Sequence, residues 1–140
     1  RMPRDTPYAG VASIFRSQLA SGTAPRVYED GGQLRDFVHV TDVARANELA
    51  LLADDPHDGA LNVASGAPVT LAEMARVLAA ADGRGMEPVV TGEFRTGDVR
   101  HVMGDASAAA AAIGFRAAVR PDDGLVTFAA DPLRRPPRTS

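Results

Sequence analysis

Runs with helical periodicity alternate along the chain with short strand-like runs, and the strand-like runs are too few to close a doubly wound sheet by themselves. Val11 to Ala20 carries Val11, Ile14, Phe15 and Leu19 at the spacing of one helix face, and Gly22 is a natural stop. Arg26-Val27-Tyr28 is a strand candidate, and Glu29 to Gly32 is a turn. Asp36 to Val40 alternates and is rich in β-formers, so it is expected to be a strand or extended segment. Thr41-Asp42 is expected to cap a helix from Val43 to about Ala53, with Val43, Ala46, Leu49 and Ala50 on one face. Ala60 to Ala64 is a compact apolar run ending at Ser65-Gly66, which predicts a buried strand. Thr70 and Glu73 have the spacing of a capping box for a helix through about Ala81.

Pro88-Val89-Val90 is a further short strand candidate, and Glu93 to Asp105 is a loop of alternating charge. Ser107 to Ile113 is expected to be a helix closed by Gly114 in the left-handed conformation. Pro121-Asp122-Asp123 opens a last helix to about Ala130. The opening, Arg1 to Pro7, is proline-rich and irregular. The Arg- and Pro-rich tail from Asp131 is expected to be disordered. With no internal repeat and no linker, the expectation is one domain over 1–130 and a tail over 131–140. The fold class is α/β, or α+β for the piece taken in isolation.

Composition removes several chemistries. There is no Cys, which excludes disulfides, cysteine-ligated zinc and a cysteine nucleophile. All fifteen Lys/Arg positions are Arg, so the chain holds no Schiff-base lysine, P-loop lysine or Tyr-Lys pair. Net charge is -3, which does not favour a nucleic-acid partner. No apolar run is long enough to span a bilayer, and no apolar segment of a signal peptide follows Arg1 to Asp5; the protein is read as cytoplasmic. His39, His57 and His101 are scattered, and Asp54, Asp55 and Asp58 lack the spacing of a calcium loop, so no metal site is expected. No glycine-rich dinucleotide loop or P-loop occurs.

Three groupings carry possible chemistry. A turn delivers Arg35 directly before an apolar run, where a fixed guanidinium can make two parallel bonds to a phosphate. Surface pairing with Asp30 or Asp36 is the competing reading. In Glu93 to His101, Arg95 and Arg100 flank Gly97 and Asp98; these residues suit a diphosphate and ribose hydroxyls, but taken alone they read first as a solvated loop with local ion pairs. Asn62 is a polar amide inside an apolar run and needs hydrogen-bond partners, from a ligand or from a neighbouring turn. Arg134, Arg135 and Arg138 suit an acidic surface or a solvated tail.

In this order, Thr6 to Val11, Tyr28 to Val40, Leu61 to Gly66 and Arg95 to Arg100 resemble the carboxy-terminal half of the extended short-chain dehydrogenase/reductase family. That family includes UDP-glucose 4-epimerases and dTDP-glucose 4,6-dehydratases. The run from Gly32 through Arg35-Asp36-Phe37-Val38-His39-Val40 to Asp42-Val43-Ala44 is its most specific piece, followed by Arg95-Thr96-Gly97-Asp98-Val99-Arg100. The resemblance implies the substrate-binding carboxy-terminal portion of a Rossmann-type enzyme. It implies that Arg35 and Arg95 grip the diphosphate of a nucleotide sugar and that Asp98 meets the ribose. It further implies that Tyr28 lies near the base, that Asn62 points into the site, and that Val11 and Phe15 line the pocket.

The family's glycine-rich NAD loop and Tyr-x-x-x-Lys pair have no match here, and Glu29 stands where Gly is common. The expectation is therefore the substrate-binding half of an NAD-dependent nucleotide-sugar 4-epimerase. NAD(P) would belong to the parent enzyme, and no cofactor is expected on this chain alone. The implied partners are a nucleotide sugar, an amino-terminal Rossmann half and a second copy in the complete enzyme, with no membrane. The alternatives are half of a 4,6-dehydratase, or a truncated, non-catalytic binding or interaction module.

Overall fold

A computed structural model describes residues 9–132. In chain order the elements are α1 (Val11–Ala20), β1 (Arg26–Val27), β2 (Leu34–Arg35), α2 (Val40–Leu51), β3 (Val69–Thr70), α3 (Leu71–Asp82), β4 (Val89–Val90), α4 (Ser107–Ile113) and α5 (Pro121–Ala130). The architecture is mixed α/β. It divides into two compact units, and of the described residues the first takes 9–32, 71–96 and 125–132. The second takes 33–70 and 97–124, so the first four residues of α5 belong to it and the remainder to the first. The expected character of Arg1 to Pro7, and of the tail beyond residue 132, lies outside the described residues.

In the first unit, α1 ends as its sequence predicts. Gly22 takes φ 77°. Its N–H donates to Leu19 O at 2.9 Å, and Thr23 N–H donates to Gln18 O at 2.8 Å. Those two bonds satisfy carbonyls that the last turn leaves open. α3 buries Leu71, Met74, Ala75, Leu78 and Ala79, a regular i, i+3, i+4 stripe, and packs on α1 and β1. Phe15, Leu19, Val27 and Leu125 complete this interior. β1 and β4 pair in parallel, with Arg26 opposite Val89 and Val27 opposite Val90.

In the second unit, β2 is bonded on both edges. It runs antiparallel to β3, with Leu34 opposite Thr70 and Arg35 opposite Val69. It also forms a parallel bridge from Arg35 to Val102. Val102 N–H donates to Leu34 O at 3.0 Å, and Asp36 N–H donates to Val102 O at 3.1 Å. The core gathers Ala46, Ala109 and Phe115, with Leu49, Leu61, Val63 and Ile113 packed against them. Gly114 closes α4 at φ 67°, the left-handed position expected for it.

Two expectations are corrected here. The strand reading of Asp36 to Val40 fails, since β2 stops at Arg35, while the extended alternative holds at His39; α2 begins at Val40, three residues earlier than expected. His39 rather than Thr41-Asp42 is its N-cap, and the His39 ring accepts Thr41 N–H. Ala60 to Ala64 is not a strand either. Both edges of β2 are already filled, by β3 and by Val102. The run is tied instead through Ser65 N–H, which donates to Asp36 Oδ1 at 2.8 Å.

Candidate functional site

β2 ends on Arg35, so the central strand of the second unit fixes this side chain. Its side chain is 19% exposed, and Nη2 stands 3.5 Å from Asp98 Oδ1. Nη1 donates to Leu34 O at 2.8 Å and Arg100 O at 2.9 Å, and Nη2 donates to Val99 O at 2.8 Å. Arg35 and Asp98 are thus brought together, and the guanidinium is engaged by its own chain. Asn62 is exposed rather than enclosed in an apolar strand. His101 Nδ1 accepts Leu34 N–H at 3.3 Å, which ties the Arg100-His101 segment to β2.

In the first unit, the turn after β1 is pinned from two directions. Glu29 N–H donates to Glu93 O at 2.7 Å, and Ala72 N–H donates to Gly31 O at 3.0 Å. Arg26 pairs with the Glu93 carboxylate. Glu29 adopts φ 51° and Gly31 φ 74°. A Cβ on Gly31 would lie 2.8 Å from Ala72 Cβ, so only glycine lets the turn approach α3 this closely. The turn leaves Tyr28 at the surface, 38% exposed. Arg95 follows Glu93 by two residues, is exposed, and makes no hydrogen bond or ion pair with the described residues. Val11 is half-buried, but Phe15 is only 2% exposed and belongs to the interior of its unit.

Sequence reasoning gave Asp42 a helix cap and Asp36 a surface pairing with Arg35, and missed the bonds these two carboxylates make. Asp42 is 3% exposed and accepts the backbone N–H groups of Ala118 and Val119. Asp36 bonds Ser65 through Oδ1, while its buried Oδ2 has no hydrogen-bond partner among the described residues. Both lie in the most specific motif of the sequence, which was the signal available. Perturbed titrations fall elsewhere. Asp105 is held below the ordinary carboxylate range by Ser107 N–H, and Asp82 by its hydrogen bond from Arg84.

Among the described residues no group of three or more His, Asp or Glu side chains is placed to hold a metal ion, and no helix is long and apolar enough to cross a membrane. A dinucleotide cradle needs a glycine-rich turn that leads from a strand into a helix N-terminus. The Gly31-Gly32 turn leads from β1 into β2 rather than into a helix N-terminus, so that turn is not such a cradle.

Residues 3–64 match the NAD dependent epimerase/dehydratase family. The dTDP-L-rhamnose 4-epimerase of Burkholderia thailandensis is 39% identical over 110 residues, covering 78% of this chain and 30% of that protein. The chain belongs to the NAD-dependent epimerase/dehydratase family. Within this family, the UDP-glucose 4-epimerase of Mycolicibacterium smegmatis is 32% identical over 88% of this chain and 39% of its own length. The crystal structure of UDP-glucose 4-epimerase from Thermotoga maritima, with UDP-glucose, superposes with a TM-score of 0.77 at 32% identity. That match covers 92% of this epimerase/dehydratase chain and 41% of the other, so the chain spans well under half the length of these relatives.

Proposed function

We propose that this chain is the substrate-binding part of an NAD-dependent nucleotide-sugar 4-epimerase, acting with an amino-terminal Rossmann half. The observation that carries the reading is the match at 39% and 32% identity to two proteins named as 4-epimerases, which favours 4-epimerisation over 4,6-dehydration.

The proposed labour of each residue follows from its chemistry. Arg95 offers an exposed guanidinium, suited to charge-assisted bonds with a phosphate that are worth about 1.5–3 kcal/mol each. Arg35 is the second proposed diphosphate ligand. Asp98 is proposed to accept from a ribose hydroxyl, with Tyr28 beside the base. Asn62 is proposed as a contact to the sugar, and Val11 and Phe15 as the apolar support of the helix behind it. Oxidation and reduction of the sugar carbon require a nicotinamide, and no such step is assigned to the residues of this chain.

The test is calorimetry of the full chain with UDP-glucose and with a dTDP-sugar. Heat that is abolished by competing nucleoside diphosphate supports the reading; binding that nucleoside diphosphate leaves unaltered counts against it. Epimerisation by this chain with added NAD would overturn the assignment of a binding part alone.

A further inference from the structure

Arg35 is engaged before any ligand arrives. A guanidinium has five N–H donors. In Arg35 the two Nη groups face Leu34 O, Arg100 O, Val99 O and Asp98 Oδ1 at 2.8, 2.9, 2.8 and 3.5 Å, which leaves Nε–H. A two-point grip on a phosphate needs two parallel donors. At least one of these internal bonds must therefore open before such a grip can form.

We propose that residues 98–100 are an internal occupant of the Arg35 guanidinium, displaced when a phosphate group binds there. The inference rests on the phosphate-binding reading above and adds how that site is gated. Three of the four partners are neutral carbonyls, and the one carboxylate stands at the limit of hydrogen-bond distance with its side chain 46% exposed. The internal set therefore compensates the Arg35 charge poorly. A phosphate supplies ionic acceptors, which make shorter and stronger bonds.

The occupant is also built to leave. Residues 98–100 are exposed, and Gly97 before them sits at φ 82°. On the far side, Val102 is locked to β2 through its N–H and C=O, at 3.0 and 3.1 Å. Release therefore ends at His101, and the bridge to Arg35 stays.

Hydrogen exchange of the full chain, followed in the peptide covering 97–101, reads the occupant directly, with the α3 peptide as control. Arg35→Lys keeps the charge but lacks the fork, so exchange in 97–101 should rise about threefold or more while α3 is unaltered. Inorganic pyrophosphate added to the unsubstituted chain should raise the same exchange in proportion to occupancy. Asp98→Ala removes the one carboxylate that faces Arg35 among the described residues, and pyrophosphate should bind roughly threefold tighter.

Unaltered exchange in Arg35→Lys, protection of 97–101 by bound pyrophosphate, or weaker pyrophosphate binding in Asp98→Ala would each overturn the proposal. So would the absence of pyrophosphate binding to both the unsubstituted chain and Asp98→Ala. The epimerase reading fails separately, because pyrophosphate can release the segment in a chain that binds no nucleotide sugar.

Discussion

Asp42 Oδ2 accepts the backbone N–H of Val119 at 3.1 Å, while Oδ1 of the same carboxylate accepts the N–H of Ala118 at 3.0 Å. A side chain in the first turn of α2 thereby satisfies two consecutive peptide groups more than seventy residues away, at the approach to α5. Carboxylate-to-amide bonds are the stronger kind, and deleting one partner strands the other. Asp42→Ala should cost about 2–4 kcal/mol, and Asp42→Asn, which keeps one acceptor, about half of that. Urea unfolding checks this as a lower midpoint with an unaltered slope.

The turn after β1 gives two substitutions of opposite sign. Glu29 occupies the left-handed region at φ 51°, which costs a residue with a Cβ about 1–2 kcal/mol. Glu29→Gly should relieve that strain and raise stability by about 1 kcal/mol, part of the gain being lost to the freer unfolded chain. Gly31 lies two residues on, at φ 74°, with Val27 Cγ1 3.0 Å and Ala72 Cβ 2.8 Å from where a Cβ would stand. Gly31→Ala should destabilise by about 2–3 kcal/mol, from strain and overpacking together. Thermal melts of the two variants should shift in opposite directions.

Sequence periodicity located α1, α3, α4 and α5 because each carries its own stop, start or stripe: Gly22, Leu71 to Ala79, Gly114 and Pro121. It left Asp36 to Val40 open between strand and extended segment because alternation reads the same in a strand and in an extended lead into a helix cap. It misjudged Ala60 to Ala64, because whether an apolar run becomes a strand depends on a free edge elsewhere in the chain. The motif around Arg35 drew attention to that residue, but not to the partners that hold its guanidinium. Those partners, Val99 and Arg100, act through backbone carbonyls, which every residue type possesses equally.

Acid stability should carry a contribution from Asp105. Ser107 N–H donates to Asp105 Oδ1 at 2.8 Å, which favours the charged form and lowers the carboxyl pKa in the folded state. A carboxyl lowered on folding stabilises the protein fully above its unfolded pKa, and that stability is lost as pH falls through the folded value. The loss therefore belongs below about pH 4. Asp105→Asn should flatten the fall in stability in that window without abolishing it, since Asp82 is lowered in the same direction by Arg84. Denaturant midpoints measured from neutral pH into that window check the slope.

Arg35 and Arg95 should respond differently to the same truncation, although both are proposed for the same diphosphate. Arg95 is exposed and without a partner among the described residues, so Arg95→Ala removes nothing from the fold. Its expected effect is a loss of nucleotide-sugar affinity of about 2–4 kcal/mol with an unaltered melting temperature. Arg35 anchors three carbonyls and faces Asp98, so Arg35→Ala should weaken affinity by a similar amount and lower the melting temperature as well. Calorimetry beside a melt of each variant separates the two contributions. Unaltered affinity in Arg95→Ala would remove that residue from the proposed site, and an unaltered melt in Arg35→Ala would mean that its internal bonds contribute nothing to the fold.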